Sequence, residues 1–270
     1  MELTAQDAEF STPWGHTLLT PAGDRSRESD LLETGISCPY ELEVLRSVVK
    51  AGMTIVDVGA SYGYLSSYLA SLVGDGKIIA IEPEPNAFEY LVRNIERNQL
   101  DVITPRNCAA GAQAGYRGLW RSATKMARHS FAQAAVPDCA DTIRVQVLPL
   151  DGIFSPNRSM ESPDLLKLDC EGWEAEVLAG SRGILRRRRP LVWMEFWPDG
   201  LRAAGADPTA PLEMLSELGY SINAFDIVEG RELDIREPVR DLLKYCDSMA
   251  QLSSTGKLIC GIAYILGSPS

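Results

Sequence analysis

The chain has 270 residues, 45% of them hydrophobic, and sets 26 Lys and Arg against 37 Asp and Glu for a net charge of −11. That apolar fraction excludes a disordered chain, and no apolar run approaches the roughly 18 residues of a membrane span. An acidic balance is also wrong for neutralising nucleic-acid phosphates, so neither a membrane nor a nucleic acid is the expected partner.

The length suits one large α/β domain or two small ones. No repeat or Pro/Gly/Ser-rich linker divides the chain, so a single domain over 1–270 is expected. Met1 to Phe10 has three acids and neither a basic nor an apolar signal region, which points to the cytoplasm. Residues 1–37 carry Pro13, Gly15, Pro21 and Gly23 around the strand-like Thr17 to Thr20, a pattern for an N-terminal hairpin or cap. A strand at Ile55 to Val58, a helix at Tyr64 to Val73, a strand at Ile78 to Ile81 and a helix at Asn86 to Asn98 follow. In the last of these, Phe88, Leu91, Val92 and Ile95 share a face. Residues 111–150, rich in Ala and Gly with an alternating strand at Ile143 to Leu148, read as an insertion serving as lid or substrate wall. Beyond it come a strand at Leu165 to Leu168, a helix at Trp173 to Arg187, a strand at Leu191 to Phe196 and a helix at Leu212 to Leu218. The run Arg186 to Arg189 reads as a solvated helix end that complements the dipole. Lys257 to Leu266 is β-rich and is expected to close the sheet as an antiparallel edge strand. Strands alternating with helices imply a doubly wound α/β fold. The cysteines at 38, 108, 139, 170, 246 and 260 form no C-x-x-C pair, so free thiols are expected rather than a zinc site or disulfides.

The most informative stretch is Asp57-Val58-Gly59-Ala60-Ser61-Tyr62-Gly63-Tyr64, which runs from a buried strand through a turn into a helix. A dinucleotide turn reads G-x-G-x-x-G, and Ser61 and Tyr64 stand where its second and third glycines belong. What remains, an acid followed by G-x-x-x-G, suits a nucleoside that carries an amino acid. Asp57 can meet its ammonium and the bare turn its methionine chain. Glu82, in Ile81-Glu82-Pro83 at the end of the next strand, can accept both ribose hydroxyls. The duller alternative makes Asp57 a helix cap and Glu82 a surface acid.

These runs resemble the first two motifs of class I S-adenosylmethionine-dependent methyltransferases. Leu166-Lys167-Leu168-Asp169-Cys170-Glu171-Gly172-Trp173-Glu174-Ala175-Glu176-Val177-Leu178-Ala179-Gly180 is similar to the I-K-x-D-x-E-G-x-E-x-x-V-L-x-G signature of the FkbM-type family. Arg189-Pro190-Leu191 with Glu195 resembles the strand that follows, and the likeness spans roughly residues 40–200, with 201–270 completing the sheet. It implies a Rossmann-like, mostly parallel seven-stranded sheet with an N-terminal cap and an insertion between strands 3 and 4. It also implies that Asp57, Gly59, Ala60, Ser61 and Gly63 hold the methionine part of S-adenosylmethionine, Glu82 the ribose, and Asn107, Cys108 and Ala109 the adenine. Ser61 stands where the family commonly has Asn, and Trp173 where a small residue is usual.

Methyl transfer is an in-line displacement in which the protein aligns the nucleophile, excludes water and removes a proton. Asp169 and Glu195, at strand ends, are the expected acids, as base and orienter or as oxygen ligands of a divalent cation; no metal site is predicted. The structural alternative makes Asp169 a cap of the next helix, and Glu171 and Glu174 read as first-turn acids. His129 is the alternative base, and His16 a weaker one. Phe10, Trp14, Trp120, Phe131 and Trp173 are candidates for an apolar acceptor pocket. The resemblance implies O-methylation of a small molecule: a sugar, or a glycosylated or polyketide-like natural product. N-methylation of a small-molecule amine and a non-catalytic cofactor-binding module are the alternatives, and a homodimer is left open.

Overall fold

The computed structural model describes residues 7–24, 28–154, 162–254 and 263–269. Strands β1 (Asp7–Ser11) and β2 (Thr17–Pro21) form an antiparallel hairpin, followed by helices α1 (Glu28–Thr34) and α2 (Pro39–Val48). Then β3 (Thr54–Val58), α3 (Tyr64–Val73), β4 (Lys77–Ile81), α4 (Pro85–Arg97) and β5 (Ile103–Arg106) alternate. The insertion holds β6 (Ala109–Ala110), β7 (Gly115–Ser122) and β8 (Cys139–Leu148), and α5 (Leu150–Ile153) follows. The second half contains β9 (Leu165–Leu168), α6 (Glu174–Ala179), α7 (Arg182–Arg187), β10 (Leu191–Phe196), α8 (Pro198–Ala203) and α9 (Ala210–Glu217). It ends with β11 (Tyr220–Asp226), β12 (Arg231–Leu233), α10 (Pro238–Ser254) and β13 (Ala263–Pro269).

The central sheet has the order β12-β11-β13-β10-β9-β3-β4-β5. From β10 to β5 it is parallel, and all five residues of β3 are buried, because helices cover both faces. Val56, Ile81, Leu168 and Met194 pack on one side, and Ile55, Ile78, Leu165 and Trp193 on the other. The fold is the doubly wound α/β fold expected, with eight strands instead of seven. The eighth, β12, exists because β11 turns back on itself: Asp226 accepts from the amides of Val228 and Glu229, and Gly230 adopts φ 67°.

The last strand departs from the expected edge position. β13 lies inside the sheet, antiparallel to both β10 and β11. Ala263, Tyr264, Ile265 and Leu266 are all buried, and a strand apolar on both faces belongs in a sheet interior. Residues 257–262, with Cys260, are outside the described residues.

Trp173 to Arg187 is two helices rather than one. At Gly180 a Cβ would stand 2.1 Å from the Gly111 carbonyl oxygen, so the chain breaks where only glycine fits. The Asp151 carboxylate then accepts from the amides of Gly183 and Ile184 and starts α7. Arg186 and Arg187 occupy the last turn, but Arg189 is not solvated: its guanidinium donates to the Leu218 and Gly219 carbonyls at 2.8 and 3.0 Å.

Two additions close over the carboxyl ends of the strands. In the N-terminal hairpin, Asn94 of α4 pairs with both the amide and carbonyl of Leu19 (2.7 and 2.9 Å), and Asn98 does the same for Thr17 (2.8 and 2.9 Å). The insertion is a separate three-stranded sheet, β6-β8-β7. It is tied down by Ser130, whose hydroxyl donates to the Glu171 carbonyl at 2.8 Å.

Candidate active site

The strand β3 delivers the chain into a turn with φ of 78° at Gly59, 50° at Ser61 and 91° at Gly63, all left-handed. A Cβ on Gly59 would lie 1.8 Å from the Asp169 carbonyl oxygen, so glycine lets the ends of β3 and β9 close up. The amides of Gly59 and Ala60 both donate to the Ile81 carbonyl, which backs the turn onto β4. Gly59, Ala60 and Ser61 line a cavity together with Glu82, Ala109, His129, Asp169 and Glu195. Gly63 sits behind this wall, where it starts α3.

Glu82 accepts hydrogen bonds from the amides of Ser61 and Glu84, both at 2.8 Å. Burial raises its pKa to about 7 despite those two donors. The Ser61 hydroxyl is a buried polar atom with no partner among the described residues. A narrow turn, a carboxylate and an orphan hydroxyl facing one cavity fit the methionine and ribose parts of S-adenosylmethionine.

Asp57 is not part of that wall. Its carboxylate is fully buried, 2.9 Å from the ammonium of Lys167 and 2.5 Å from the Ser66 hydroxyl, which donates to it. One oxygen faces the lysine ammonium and the other takes the serine hydroxyl, so Asp57 lies beneath the turn and does not line the cavity where the cofactor ammonium was expected to meet it. Asn107 and Cys108 also fall outside the cavity. The Asn107 amide donates to the Glu82 and Pro83 carbonyls, splinting the loop from behind. Cys108 is buried in the core, which raises its thiol pKa. Of the three residues expected around adenine, only Ala109 lines the cavity, beside Ala110.

Lys167 is a cavity-lining residue that motif reading passed over. It faces Asp57 across paired β9 and β3, donates to the Gly59 carbonyl at 3.1 Å, and lies 4.0 Å from the Asp169 carboxylate. Burial opposes its charge, but Asp57 and then Asp169 outweigh burial and hold its pKa above the ordinary lysine range. The signal was present: a lysine inside Leu165-Leu166-Lys167-Leu168 must have a buried partner.

Asp169 ends β9 and accepts from the Tyr264 hydroxyl at 3.5 Å. His129, on the insertion, accepts at Nδ1 from the Ser122 amide at 3.1 Å, and burial lowers its pKa. A neutral ring held in this way carries its proton on Nε2, where it can donate a hydrogen bond into the cavity. His16 does not line the cavity. Glu171 precedes α6 with φ 53° and lines the cavity. Glu174 is in the first turn, accepts from the Cys170 and Gly172 amides, and has its pKa raised to about 7 by burial.

Among the candidate aromatics, Phe131 and Trp173 do line the cavity, with ring centroids 4.7 Å apart. Phe10, Trp14 and Trp120 do not; Trp14 packs instead on Tyr64 and Tyr68. Among the described residues no group of His, Cys, Asp and Glu is placed to hold a metal ion, and no helix is long and apolar enough to cross a membrane. Cys38, Cys108, Cys139, Cys170 and Cys246 are free thiols.

Residues 57–222 match the family model described as the Methyltransferase FkbM domain. The chain is 29% identical over 176 residues to Methyltransferase sdnD of Sordaria araneosa, covering 55% of this chain and 68% of that protein. A solved structure of M. jannaschii TYW2 in complex with AdoMet shares 12% identity at a TM-score of 0.50, covering 99% of this chain and 87% of that one. At that identity the likeness establishes the fold, that of a class I methyltransferase. Methyltransferase FkbM from Methylobacillus flagellatus KT is also similar, at 21% identity and a TM-score of 0.42. That match covers 63% of this chain but 39% of the Methylobacillus chain. With the family model matching more than half of its length, this chain belongs to the FkbM family of S-adenosylmethionine-dependent methyltransferases.

Proposed function

We propose that the chain transfers a methyl group from S-adenosylmethionine to a hydroxyl of a small molecule: a sugar, or a glycosylated or polyketide-like natural product. The observation that supports this reading best is Asp169, a partly exposed carboxylate in the same cavity as the glycine turn and Glu82. The cofactor, when bound there, supplies an electrophilic methyl carbon. Asp169 takes the proton of the acceptor hydroxyl as its oxygen attacks, a role worth roughly 10²–10⁴ in rate. His129 donates to the acceptor oxygen and orients it, and the docked insertion excludes water. A net charge of −11 supports a small-molecule acceptor over a nucleic acid.

The second reading, N-methylation, draws on Asp169, Glu171 and Glu195, three carboxylates in the cavity wall that suit a cationic amine. Calorimetry with S-adenosylmethionine comes first, and a silent titration overturns both enzyme readings. A screen of hydroxyl and amine acceptors follows, read as one added methyl in the product mass, with the methylated atom assigned by NMR. Methylation of amines alone overturns the hydroxyl reading. Cofactor binding without turnover on either class leaves a binding module.

A further inference from the structure

Glu84 caps α4, yet glutamate is not among the side chains that helix starts favour. A shorter acid would cap as well; the longer side chain also reaches across to the insertion. One Glu84 oxygen accepts from the Ala87 amide at 2.7 Å, and the other pairs with the Arg121 guanidinium of β7 at 3.0 Å. Arg121 is held in the right direction by Asp141, its opposite number in the ladder of β7 and β8. Asp141 accepts from Nε and Nη2 of the guanidinium at 2.6 and 2.5 Å, which leaves Nη1 for Glu84.

On its other side Glu84 meets the cofactor wall. Its amide donates to one oxygen of Glu82 and the Ser61 amide to the other, both at 2.8 Å. An unbroken line of contacts therefore runs from Arg121 through Glu84 and Glu82 to Ser61, from the insertion to the glycine turn. Glu84 and Glu82 are 1% and 6% exposed, and carboxylates this deep need cations beside them. Lys167 of β9, itself flanked by Asp57 and Asp169, faces Glu82. From the insertion, Arg121 pairs with Glu84, and His129 is near enough to feel the Glu84 charge, although burial lowers its pKa. Burial is the main reason that Glu82 titrates near 7, and the Glu84 charge adds to it. With the insertion lifted away, that charge would bear on Glu82 unopposed.

We infer that Arg121 is a positioning residue for the cofactor: by pairing with Glu84 it keeps Glu82 in the charged form that accepts ribose hydroxyls, so docking of the insertion and binding of the cofactor favour each other. The inference rests on Glu82 as the ribose carboxylate. The test is calorimetry with S-adenosylhomocysteine on the full chain. Arg121→Gln should weaken binding about threefold to tenfold at pH 7 and leave it unchanged at pH 9, where Glu82 is ionised with or without its neighbour's partner. Adding Glu84→Gln, which keeps the capping oxygen and removes the charge, should restore the affinity at pH 7. A merely structural loss would recover neither with pH nor with the second substitution. Hydrogen exchange gives the reciprocal reading: S-adenosylhomocysteine should slow the amides of residues 119–131 in the unaltered chain, and slow them less in Arg121→Gln. Thermal unfolding checks that both variants fold. Equal affinity of Arg121→Gln and the unaltered chain at pH 7, or a loss that persists at pH 9 and in the double variant, overturns the inference. Glu82→Gln separates it from the reading beneath it. If Glu82→Gln weakens binding while Arg121→Gln does not, the coupling fails and the ribose assignment stands. If Glu82→Gln binds like the unaltered chain, the ribose assignment fails and takes the coupling with it.

Discussion

The ammonium of Lys167 sits 2.9 Å from the Asp57 carboxylate, and both side chains are almost wholly sealed from solvent. A buried pair of this kind contributes little net stability, yet breaking it from one side is costly because the survivor keeps an uncompensated charge. Lys167→Met is expected to destabilise the chain by about 3–5 kcal/mol, measured by urea unfolding. The double variant Asp57→Asn with Lys167→Met, which removes both charges, recovers most of that loss. If the double variant is as unstable as the single, the pair is not the reason.

The pH dependence of cofactor binding follows from Glu82. In the proposed binding mode its carboxylate form accepts the ribose hydroxyls, and its pKa stands at about 7 in the folded chain against an ordinary 4.5. Affinity for S-adenosylhomocysteine therefore falls as pH drops below about 7, and Glu82→Gln lowers affinity while flattening the dependence. The stability linkage has the opposite sign. A raised carboxyl pKa favours the folded state most below 4.5, and that contribution is lost as pH rises through about 7. Calorimetry across this range, with unfolding curves on the chain without cofactor, reads both slopes.

Ser61 combines an orphan hydroxyl with a left-handed backbone at φ 50°. Ser61→Ala removes a donor that nothing among the described residues uses, so cofactor affinity should drop about threefold to tenfold with little change in stability. Ser61→Asn, which tolerates that conformation and restores a polar side chain, should bind at least as well as Ser61→Ala and unfold no more easily than the natural chain. Isothermal calorimetry and thermal unfolding check the pair.

Asp169 and His129 separate by kinetics. Asp169→Asn should retain cofactor binding and lose about 10²–10⁴ in kcat. On the proposed reading His129→Ala removes a donor rather than a base, so it should raise KM for the acceptor more than it lowers kcat. A loss in kcat for His129→Ala as large as that for Asp169→Asn would return the base to the histidine.

The parallel core was legible because its strands are short apolar runs and its helices keep one apolar face. Predicted and observed bounds agree within a residue for β3, β4, β9 and β10. β7 escaped notice because Gly115 to Gly118 are exposed and carry no alternation. α10 was missed because the charges of Arg240, Asp241, Lys244 and Asp247 obscure the few positions, Leu242 and Cys246, that reach the core. The site divides along the same line. Gly59, Ser61 and Glu82 could be placed from local spacing, since a turn and a strand end position them. The inward turn of Asp57 could not, because every residue of β3 is buried and its partner Lys167 is distant in sequence. The tautomer of His129 depends on the Ser122 amide, which only the folded insertion brings to it.

The interior place of β13 bears on how the chain is assembled. β10 and β11 are made in succession, yet they are never paired with each other; β13, made later than both, lies between them and pairs with each. Until then each presents an open edge that invites pairing with other chains. Folding of this half therefore waits for residues 263–269, and cutting them away should divide the sheet rather than shorten it.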